Sequence, residues 1–302
     1  MGRVIAIANQ KGGVGKTTTA INLASCIADK NKSVLAIDMD PQGNMTSGFG
    51  IDKNELENTT YDLLVDDEFQ VEDCIIKNLF KQLSILPANR NLAGAEIELL
   101  TEKDMQQILR NKLEDVIDDY DFIIIDCPPA LGILTVNAMT AADTVIVPIQ
   151  CEFFALDGLT QLIYTIGLIQ KSLNPDLTIE GVVFTMYDAR TNLSLQVVEN
   201  VKDCLDQNIY KTIIPRNVKL AEAPSHGLPI NFYAPKSSGA ESYNQLADEG
   251  INHSEVTYDG KEAKCIGKRI ECINSRDWTS AAPEKTQKII FRSVGSGCHD
   301  LR

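Results

Sequence analysis

The chain has 302 residues, of which 44% are hydrophobic and 23% are charged, and its formal net charge at pH 7 is −14. This length accommodates one large α/β domain or two smaller ones, with enough apolar residues for a substantial core. The acidic balance argues against a strongly basic nucleic-acid module but leaves room for a local cationic patch. With no signal-peptide pattern and no apolar run of about 18 residues, we expect a cytoplasmic protein.

Strand-like and helix-like segments alternate from the start of the chain. This pattern predicts an α/β fold with a mainly parallel central sheet and helices on both faces. Strands are expected at residues 4–8, 33–37, 83–87, 121–126, 144–149, 178–185 and 212–214. Helices are expected at residues 18–29, 92–101, 104–118, 155–173, 193–207 and 238–249. The acidic stretch at residues 52–80 is interpreted as short helices and loops at the surface.

The segment between the first strand and the first helix carries the clearest chemistry. Residues 9–19 read Asn-Gln-Lys-Gly-Gly-Val-Gly-Lys-Thr-Thr-Thr. Glycines let backbone N–H groups converge on phosphate oxygens, and the N-terminus of the next helix adds positive potential. We expect Lys16 to reach the β- and γ-phosphates of a nucleotide and the Thr17 hydroxyl to hold Mg²⁺. A glycine-containing surface turn is the plain alternative.

The predicted architecture is therefore a three-layer α/β/α P-loop NTPase fold. Its expected nucleotide-binding loop consists of Lys11, Gly12, Gly13, Val14, Gly15, Lys16, Thr17 and Thr18.

Carboxylates follow two of the predicted strands. Asp38 and Asp40 come after the second strand, and Asp126 closes the apolar run at residues 122–125. Because the carboxyl ends of parallel strands meet at one edge, these acids should point at the γ-phosphate region. Asp126 fits a Walker B acid that binds Mg²⁺ through water, and Asp38 is expected to join it at the metal. Asp40 is expected to position the attacking water. Capping or turn roles are the alternative for these acids.

The loop departs from the standard phosphate-binding pattern. Gln10 stands where a glycine is usual, and Lys11 adds a second lysine. In this form residues 9–19 resemble the deviant Walker A motif of the ParA/MinD family of ATPases. Four further segments resemble its Soj-like partitioning branch. They are Asp-Met-Asp-Pro-Gln-Gly-Asn at residues 38–44, Asp-Cys-Pro-Pro at 126–129, Thr-Met-Tyr-Asp-Ala-Arg-Thr at 185–191 and Ile-Pro-Arg-Asn-Val-Lys-Leu-Ala-Glu-Ala-Pro at 214–224.

The resemblance implies a partitioning ATPase that forms a sandwich homodimer around ATP and Mg²⁺. Lys11 would cross to the phosphates of the other subunit, so that the catalytic residues would be Lys11, Lys16 and Asp40. Hydrolysis would be weak in the isolated protein and stimulated by a ParB-type centromere-binding partner. Pro215 and Asn217 would contact the adenine.

The resemblance also implies that the dimer binds DNA non-specifically and is associated with the nucleoid rather than with a membrane. Arg190 and Lys219 match positions used for DNA contact in this branch, with Arg216 and Lys236 as weaker candidates. Taken singly, each of these cations is better explained as a solvated surface residue. Together, in an acidic protein, they are better interpreted as one patch whose binding responds steeply to salt.

The likeness extends from residue 2 to about residue 249, so we expect an ATPase domain at residues 1–250. Residues 251–302 are expected to be an unassigned extension, either disordered, accessory or artefactual, because their helical periodicity is weak. The phosphate loop begins close to Met1, so the N-terminal DNA-reading domain of larger plasmid partition ATPases is not expected.

Two other functions share the deviant loop. A membrane-associated cell-division regulator of the MinD type needs an amphipathic C-terminal helix, to which residues 262–274 come closest. A reductase of the nitrogenase iron-protein type needs two cluster-binding cysteines, for which Cys127 and Cys151 are the candidates. The eight cysteines lack a Cys-x-x-Cys pair and are expected to be free thiols rather than a disulfide framework or a zinc site.

Overall fold

The computed structural model describes residues 2–152, 155–204 and 209–257. Within these ranges eight strands form one sheet. They are β1 Arg3–Ile7, β2 Val34–Asp38, β3 Ile76–Phe80, β4 Leu83–Leu86, β5 Phe122–Asp126, β6 Thr144–Gln150, β7 Thr178–Tyr187 and β8 Ile209–Pro215. Their order across the sheet is β3-β4-β2-β5-β1-β6-β7-β8. Every neighbouring pair is parallel except β3 and β4, which are antiparallel.

Twelve α-helices accompany the sheet in the described ranges. They are α1 Lys16–Asp29, α2 Asn44–Gly48, α3 Thr60–Val65, α4 Val71–Cys74, α5 Leu92–Glu98, α6 Ile108–Leu113, α7 Ile133–Ala141, α8 Ala155–Ser172, α9 Asn192–Cys204, α10 Val218–Glu222, α11 Ile230–Tyr233 and α12 Ser238–Thr257. The central strands β2 and β5 are buried along their whole length. Helices therefore cover both faces of the sheet, and the predicted three-layer fold with a mainly parallel sheet is confirmed.

Three elements differ from the sequence-based expectation. The stretch at residues 52–80 contains an edge strand, β3, whose pattern is interrupted by the exposed Lys77 and Asn78. Helix α7 was not predicted, because its residues are apolar with little periodicity and are mostly buried. The helix expected at residues 104–118 is shorter: it comprises α6 and a 3₁₀ turn at Ile117–Asp119, separated by an irregular segment.

The last described helix continues past the predicted domain boundary. Helix α12 runs to Thr257, and the backbone carbonyl of Gly250 accepts a hydrogen bond from Arg3 Nη1 at 3.4 Å. Glu249 accepts hydrogen bonds from the backbone N–H groups of Lys211 and Thr212. The first residues of the predicted extension therefore continue a helix of the domain, and the rest of it, residues 258–302, lies outside the described residues. Among the described helices none is long and apolar enough to cross a bilayer.

Candidate functional site

The loop between β1 and α1 lies at the carboxyl edge of the sheet and is shaped by glycine. Gly13 and Gly15 have φ values of 75° and 88°, a left-handed conformation that side-chain-bearing residues rarely adopt. Gly15 is also the N-cap of α1. A Cβ built on Gly12 or Gly13 would meet no other atom within 4 Å, so the space above these two residues is open. The loop thus presents backbone and a helix N-terminus to open space, as phosphate binding requires.

Two polar side chains hold this loop, Asn9 just after β1 and Thr185 on β7. Asn9 Nδ2 donates to the Pro148 carbonyl at 2.8 Å, and Asn9 Oδ1 accepts from the Lys11 backbone N–H at 3.0 Å. Thr185 Oγ1, on β7, donates to the Val14 carbonyl at 2.7 Å. Asn9 and Thr185 therefore position the loop, a role that sequence analysis did not assign. The available signal was a polar residue at the carboxyl end of a buried strand.

Lys16 places a buried ammonium group at the start of α1. The residue is only 7% exposed, and its Nζ donates to the Lys11 carbonyl at 3.1 Å. Burial lowers the pKa of Lys16, and the charge of Asp126 acts in the opposite direction. A buried cation beside open backbone N–H groups is suited to the β- and γ-phosphates. Thr17 and Thr18 follow it in the first turn of the helix.

Asp38 and Asp126 are neighbours in the register of β2 and β5, and both are fully buried. Asp38 accepts hydrogen bonds from the backbone N–H and the hydroxyl of Thr46, at 2.9 and 2.7 Å. Burial nevertheless raises the pKa of Asp38 to about 6. In Asp126, neither carboxylate oxygen has a hydrogen-bond partner of standard geometry among the described residues. Burial and the charge of Asp38 raise the pKa of Asp126 well above its usual range, with a smaller opposing effect from the Thr17 hydroxyl.

A buried carboxylate without a partner is costly and indicates a ligand that the protein alone does not supply. Mg²⁺ fits this position, because it prefers oxygen ligands and Thr17, Asp38 and Asp126 offer a hydroxyl and two carboxylates. Within the described ranges, no group of three or more His, Cys, Asp or Glu side chains could hold a metal by itself. Mg²⁺ usually keeps several waters and shares the oxygens of a bound nucleotide, so it does not need a cage made only of protein side chains.

Asp40 lies beside this acidic pair without being sealed from solvent. It is 8% exposed, its Oδ1 accepts from the Gln42 backbone N–H at 2.9 Å, and its own N–H donates to Asp38 Oδ1 at 3.2 Å. These contacts fix the backbone after β2 and leave a carboxylate at the rim of the phosphate loop. The arrangement suits a group that orients a water molecule.

The side chain of Lys11 pairs with an acid that follows β6. Its Nζ lies 2.9 Å from Glu152 Oε2, and both side chains are partly exposed, by 31% and 48%. Glu152 could not be recognised from the sequence as the partner of Lys11, because an ion pair between residues so distant in the chain leaves no local pattern.

The two residues predicted to contact adenine lie together after β8. Pro215 is the last residue of this strand, and Asn217 is the N-cap of α10. Asn217 Oδ1 accepts from the Lys219 backbone N–H at 2.8 Å, and its Nδ2 donates to Ser238 Oγ at 2.8 Å. The amide therefore has a capping role in the structure, and its contact with adenine stays a prediction.

The four predicted DNA-binding cations lie near the carboxyl ends of the adjacent strands β7 and β8. Tyr187 pairs with Pro215 in the sheet, and the Arg216 backbone N–H donates to the Tyr187 carbonyl at 3.0 Å. Arg190 follows β7, Lys219 lies in α10, and Lys236 precedes α12, whose Ser238 binds Asn217. The side chains of Arg190, Arg216, Lys219 and Lys236 belong to exposed residues. The structure thus brings these cations to one end of the sheet.

Two of these cations form ion pairs with acids of their own segments. Arg190 donates through Nε and Nη2 to both oxygens of Asp188, at 2.9 and 2.7 Å. Lys219 Nζ donates to Glu222 Oε2 at 2.8 Å. The hydrogen bonds from Arg190 hold the pKa of the Asp188 carboxyl well below its usual range. Neither acid could be recognised from the sequence as a partner of these cations.

Comparison with known proteins places this chain among ATPases of known families. The family described as "AAA domain" matches residues 2–179. The chain is 57% identical over 249 residues to the sporulation initiation inhibitor protein Soj of Bacillus subtilis, covering 82% of this chain and 98% of the relative. It is 49% identical over 249 residues to the chromosome-partitioning ATPase Soj of Treponema pallidum, covering 82% and 97%.

Among solved structures, the fold resembles cobyrinic acid a,c-diamide synthase from Mycobacterium smegmatis with a bound ATP analogue and magnesium. The TM-score is 0.75 and the sequence identity 37%, and the match covers 84% of this chain and 96% of the other.

Proposed function

The chain belongs to the Soj-like partitioning branch of the ParA/MinD family of deviant Walker A ATPases, and on this premise we propose that it switches between a monomer and an ATP-bound dimer that binds DNA. The protein is a ParA-type partitioning ATPase that uses ATP and Mg²⁺ and hydrolyses ATP to ADP and phosphate. The synthase of known structure is 37% identical, whereas Soj of Bacillus subtilis is 57% identical over almost its whole length, so the partitioning role takes precedence.

The observation that carries the nucleotide-binding part of the proposal is the buried carboxylate of Asp126, which lacks a hydrogen-bond partner, lies beside Asp38 and is close enough to the buried Lys16 for its charge to act on it. A structural ion pair would leave no oxygen of Asp126 unsatisfied. A site awaiting a metal and a nucleotide explains both the orphaned oxygens and the open space above Gly12 and Gly13.

Within one subunit, each residue has a defined task. The loop N–H groups and Lys16 would bind the β- and γ-phosphates. Thr17, Asp38 and Asp126 would hold Mg²⁺, which would neutralise developing charge on the phosphate oxygens. Asp40 would orient a water molecule so that its oxygen attacks the γ-phosphorus. As the new P–O bond forms, the bond to the bridging oxygen breaks, its electron pair leaves with ADP, and the proton of the water passes to the phosphate product or to solvent.

Coupling to a second subunit rests on Lys11. Its side chain is partly exposed and pairs with Glu152, so the amino group can leave this pair at little cost. In the proposed dimer, each Lys11 contacts the phosphates bound by the other subunit, as an arginine finger does in other NTPases. Hydrolysis is consequently slow until two ATP-bound subunits have associated.

Binding to DNA rests on Arg190, Arg216, Lys219 and Lys236. A dimer presents this set twice, which raises the affinity for phosphates and makes it steeply dependent on salt. A ParB-type partner then stimulates hydrolysis and releases the dimer from DNA. In the cell, we expect the ATP-bound form to be cytoplasmic and associated with the nucleoid.

The decisive experiment measures ATP turnover and oligomeric state with and without duplex DNA and a ParB-type protein. We expect a dimer only with ATP, retention of DNA only by that dimer, and turnover that rises when DNA and the partner are both present. The full chain should be compared with a chain ending at Thr257, because a cut at residue 250 would remove the end of α12. A protein that stays monomeric with ATP, and whose turnover does not respond to DNA or to the ParB-type partner, would refute the switch.

The alternatives have distinct tests. The stretch at residues 262–274, on which a MinD-type membrane role depends, lies outside the described residues. Co-sedimentation with liposomes in ATP, without binding to plasmid DNA, would favour that role. For an iron–sulfur reductase, Cys127 and Cys151 are poorly placed, since they are only 1% and 6% exposed and cannot reach a cluster at a subunit surface without rearrangement. Visible absorbance of the purified protein would reopen that possibility.

A further inference from the structure

We propose that Asp188 and Glu222 attenuate the cationic patch, so that the patch binds nucleic-acid phosphates only as tightly as its own acids allow. The inference rests on the proposed DNA-binding function and adds two carboxylates that compete with phosphate for Arg190 and Lys219. It assigns them a regulatory role at that surface.

Asp188 and Arg190, two residues apart in the chain, bind each other through three hydrogen bonds. Asp188 Oδ1 accepts from both the backbone N–H of Arg190, at 3.0 Å, and its Nε, at 2.9 Å, while Oδ2 accepts from Nη2 at 2.7 Å. This is the bidentate geometry that guanidinium groups also use for phosphate. Although the Arg190 side chain is 87% exposed, one edge of its fork is already occupied by a carboxylate. A phosphate must displace Asp188 or use the remaining donors.

The positive charge of Arg216 also acts on Asp188. It lies after β8 with its backbone bonded to Tyr187, the residue before Asp188. Its charge contributes to the low pKa of Asp188, together with the hydrogen bonds from Arg190. Asp188 consequently stays ionised at physiological pH and offsets the positive charge of two candidate DNA-binding residues.

Glu222 restrains Lys219 in a comparable way. Its Oε2 accepts from Lys219 Nζ at 2.8 Å and from the Tyr233 hydroxyl at 2.9 Å. The Lys219 ammonium also lies 5.7 Å from the centre of the Tyr233 ring, which is stacked on His226 with centroids 4.8 Å apart. Tyr233 therefore fixes the carboxylate that holds the lysine, and Lys219 is directed back onto its own segment.

The consequence is a patch with half of its cations matched by acids. Arg190, Arg216, Lys219 and Lys236 carry four positive charges, and Asp188 and Glu222 remove two of them. Exposed ion pairs are weak enough for a phosphate to displace, yet they lower the net gain from each contact. Such attenuation suits a protein that must leave DNA each time its ATP is hydrolysed.

The test uses Asp188→Asn, Glu222→Gln and the double variant in the full chain. Asn at residue 188 can still accept the backbone hydrogen bond from Arg190, and Gln at residue 222 the hydroxyl of Tyr233, so the local structure is kept. Asp66→Asn is the matched control, because Asp66 Oδ1 also accepts a backbone N–H two residues later, that of Glu68 at 2.9 Å. Asp66 follows α3, whose Thr60 hydroxyl bonds to the Asp38 and Pro87 carbonyls at the ends of β2 and β4, several strands away from β7 and β8. The wild type and these four variants are tested with ATP and Mg²⁺ on a labelled duplex of arbitrary sequence over a range of KCl concentrations, and by salt elution from heparin.

We expect each single variant to bind the duplex about twofold to fivefold more tightly, and the double variant about fourfold to twentyfold, at one salt concentration. The slope of log affinity against log salt should steepen by about one per restored cation, and elution from heparin should move to higher salt. The control should match the wild type in both assays.

Three outcomes separate this inference from the proposed function. If the wild type binds DNA and the variants bind equally or more weakly, the acids orient the cations instead of attenuating them, and the inference is wrong. If the wild type fails to bind DNA in any nucleotide state while the double variant elutes later from heparin, attenuation stands and the proposed DNA-binding function falls. If the heparin elution of all five proteins is the same, attenuation is refuted irrespective of DNA.

Discussion

Asp38 and Asp126 lie side by side at the carboxyl ends of β2 and β5, both fully buried, and only Asp38 has its oxygens satisfied by protein donors. In the free protein this pair is destabilising when both carboxylates are charged, because two buried carboxylates oppose each other's ionisation. Under the proposed assignment, binding of Mg²⁺ to this pair would relieve that repulsion.

A first prediction concerns pH in the absence of ligand. The folded-state pKa values of Asp38, about 6, and of Asp126 are raised above the unfolded value of about 3.9. The folded state thus binds more protons than the unfolded state, so stability falls as pH rises from about 4 through the folded pKa values. Urea unfolding in EDTA should show this decline, and excess Mg²⁺ and ATP should remove most of it. An apoprotein equally stable at pH 5 and pH 8 would contradict the argument.

A second prediction separates stability from function at the same position. Asp126→Asn removes one buried charge, and we expect it to raise the free energy of unfolding of the apoprotein at pH 8 by about 1–3 kcal/mol. The same change should weaken Mg²⁺-dependent ATP binding by about 10–100-fold. Thermal unfolding and calorimetric titration measure the two effects. A variant that loses stability and keeps its affinity would show that Asp126 is a structural cap.

The sequence predicted this site because its residues follow local rules. A strand, a glycine-rich loop and a helix occur in order around Lys16, and Asp38 and Asp126 each close an apolar strand. Parallel pairing alone then brings their carboxylates together. What could not be predicted is how distant side chains are used: the Lys11–Glu152 pair and the bond from Thr185 to the Val14 carbonyl depend on tertiary packing.

The elements missed in the fold have the same origin. Strand β3 lies at the sheet edge, and Asn78 within it and Lys81 just after it have positive φ values of 54° and 48°. The alternation of apolar and polar residues expected of a strand is therefore interrupted in β3, so the sequence does not indicate a strand there. Helix α7 lies among other elements and needs no polar face, so its residues carry no amphipathic signal.

Lys16→Ala should eliminate nucleotide binding, because the buried ammonium is the cation suited to the β- and γ-phosphates. Loss of such a charge-assisted contact corresponds to roughly a hundredfold or more in affinity. Calorimetric titration with ATP measures it. Lys30→Ala, at the other end of α1, removes a surface lysine paired with Asp248 and should bind ATP as the wild type does. Retained affinity in Lys16→Ala would contradict the phosphate-binding loop.

Lys11→Ala should separate ATP binding from dimerisation. Its ion pair is partly exposed, so the free energy of unfolding should change by less than about 1 kcal/mol. ATP binding should persist, whereas the ATP-dependent dimer should be lost and turnover should fall by about 10³-fold or more. Sedimentation and phosphate release measure these effects, with Lys171→Ala in the last turn of α8 as the control. Normal turnover would show that Lys11 acts only as a surface cation.

Arg190→Glu should separate dimerisation from DNA binding. The substitution replaces an exposed cation by an acid beside Asp188, so we expect the affinity of the ATP-bound dimer for DNA to fall about tenfold or more and its salt dependence to weaken. Dimerisation should be unchanged, because the phosphate loop is untouched. Filter binding and sedimentation measure the two properties on one preparation. Arg110→Glu, an exposed cation in α6 whose charge acts on Asp143 before β6, is the matched control and should bind DNA normally. Equal retention of DNA by both variants at low salt would remove Arg190 from the patch.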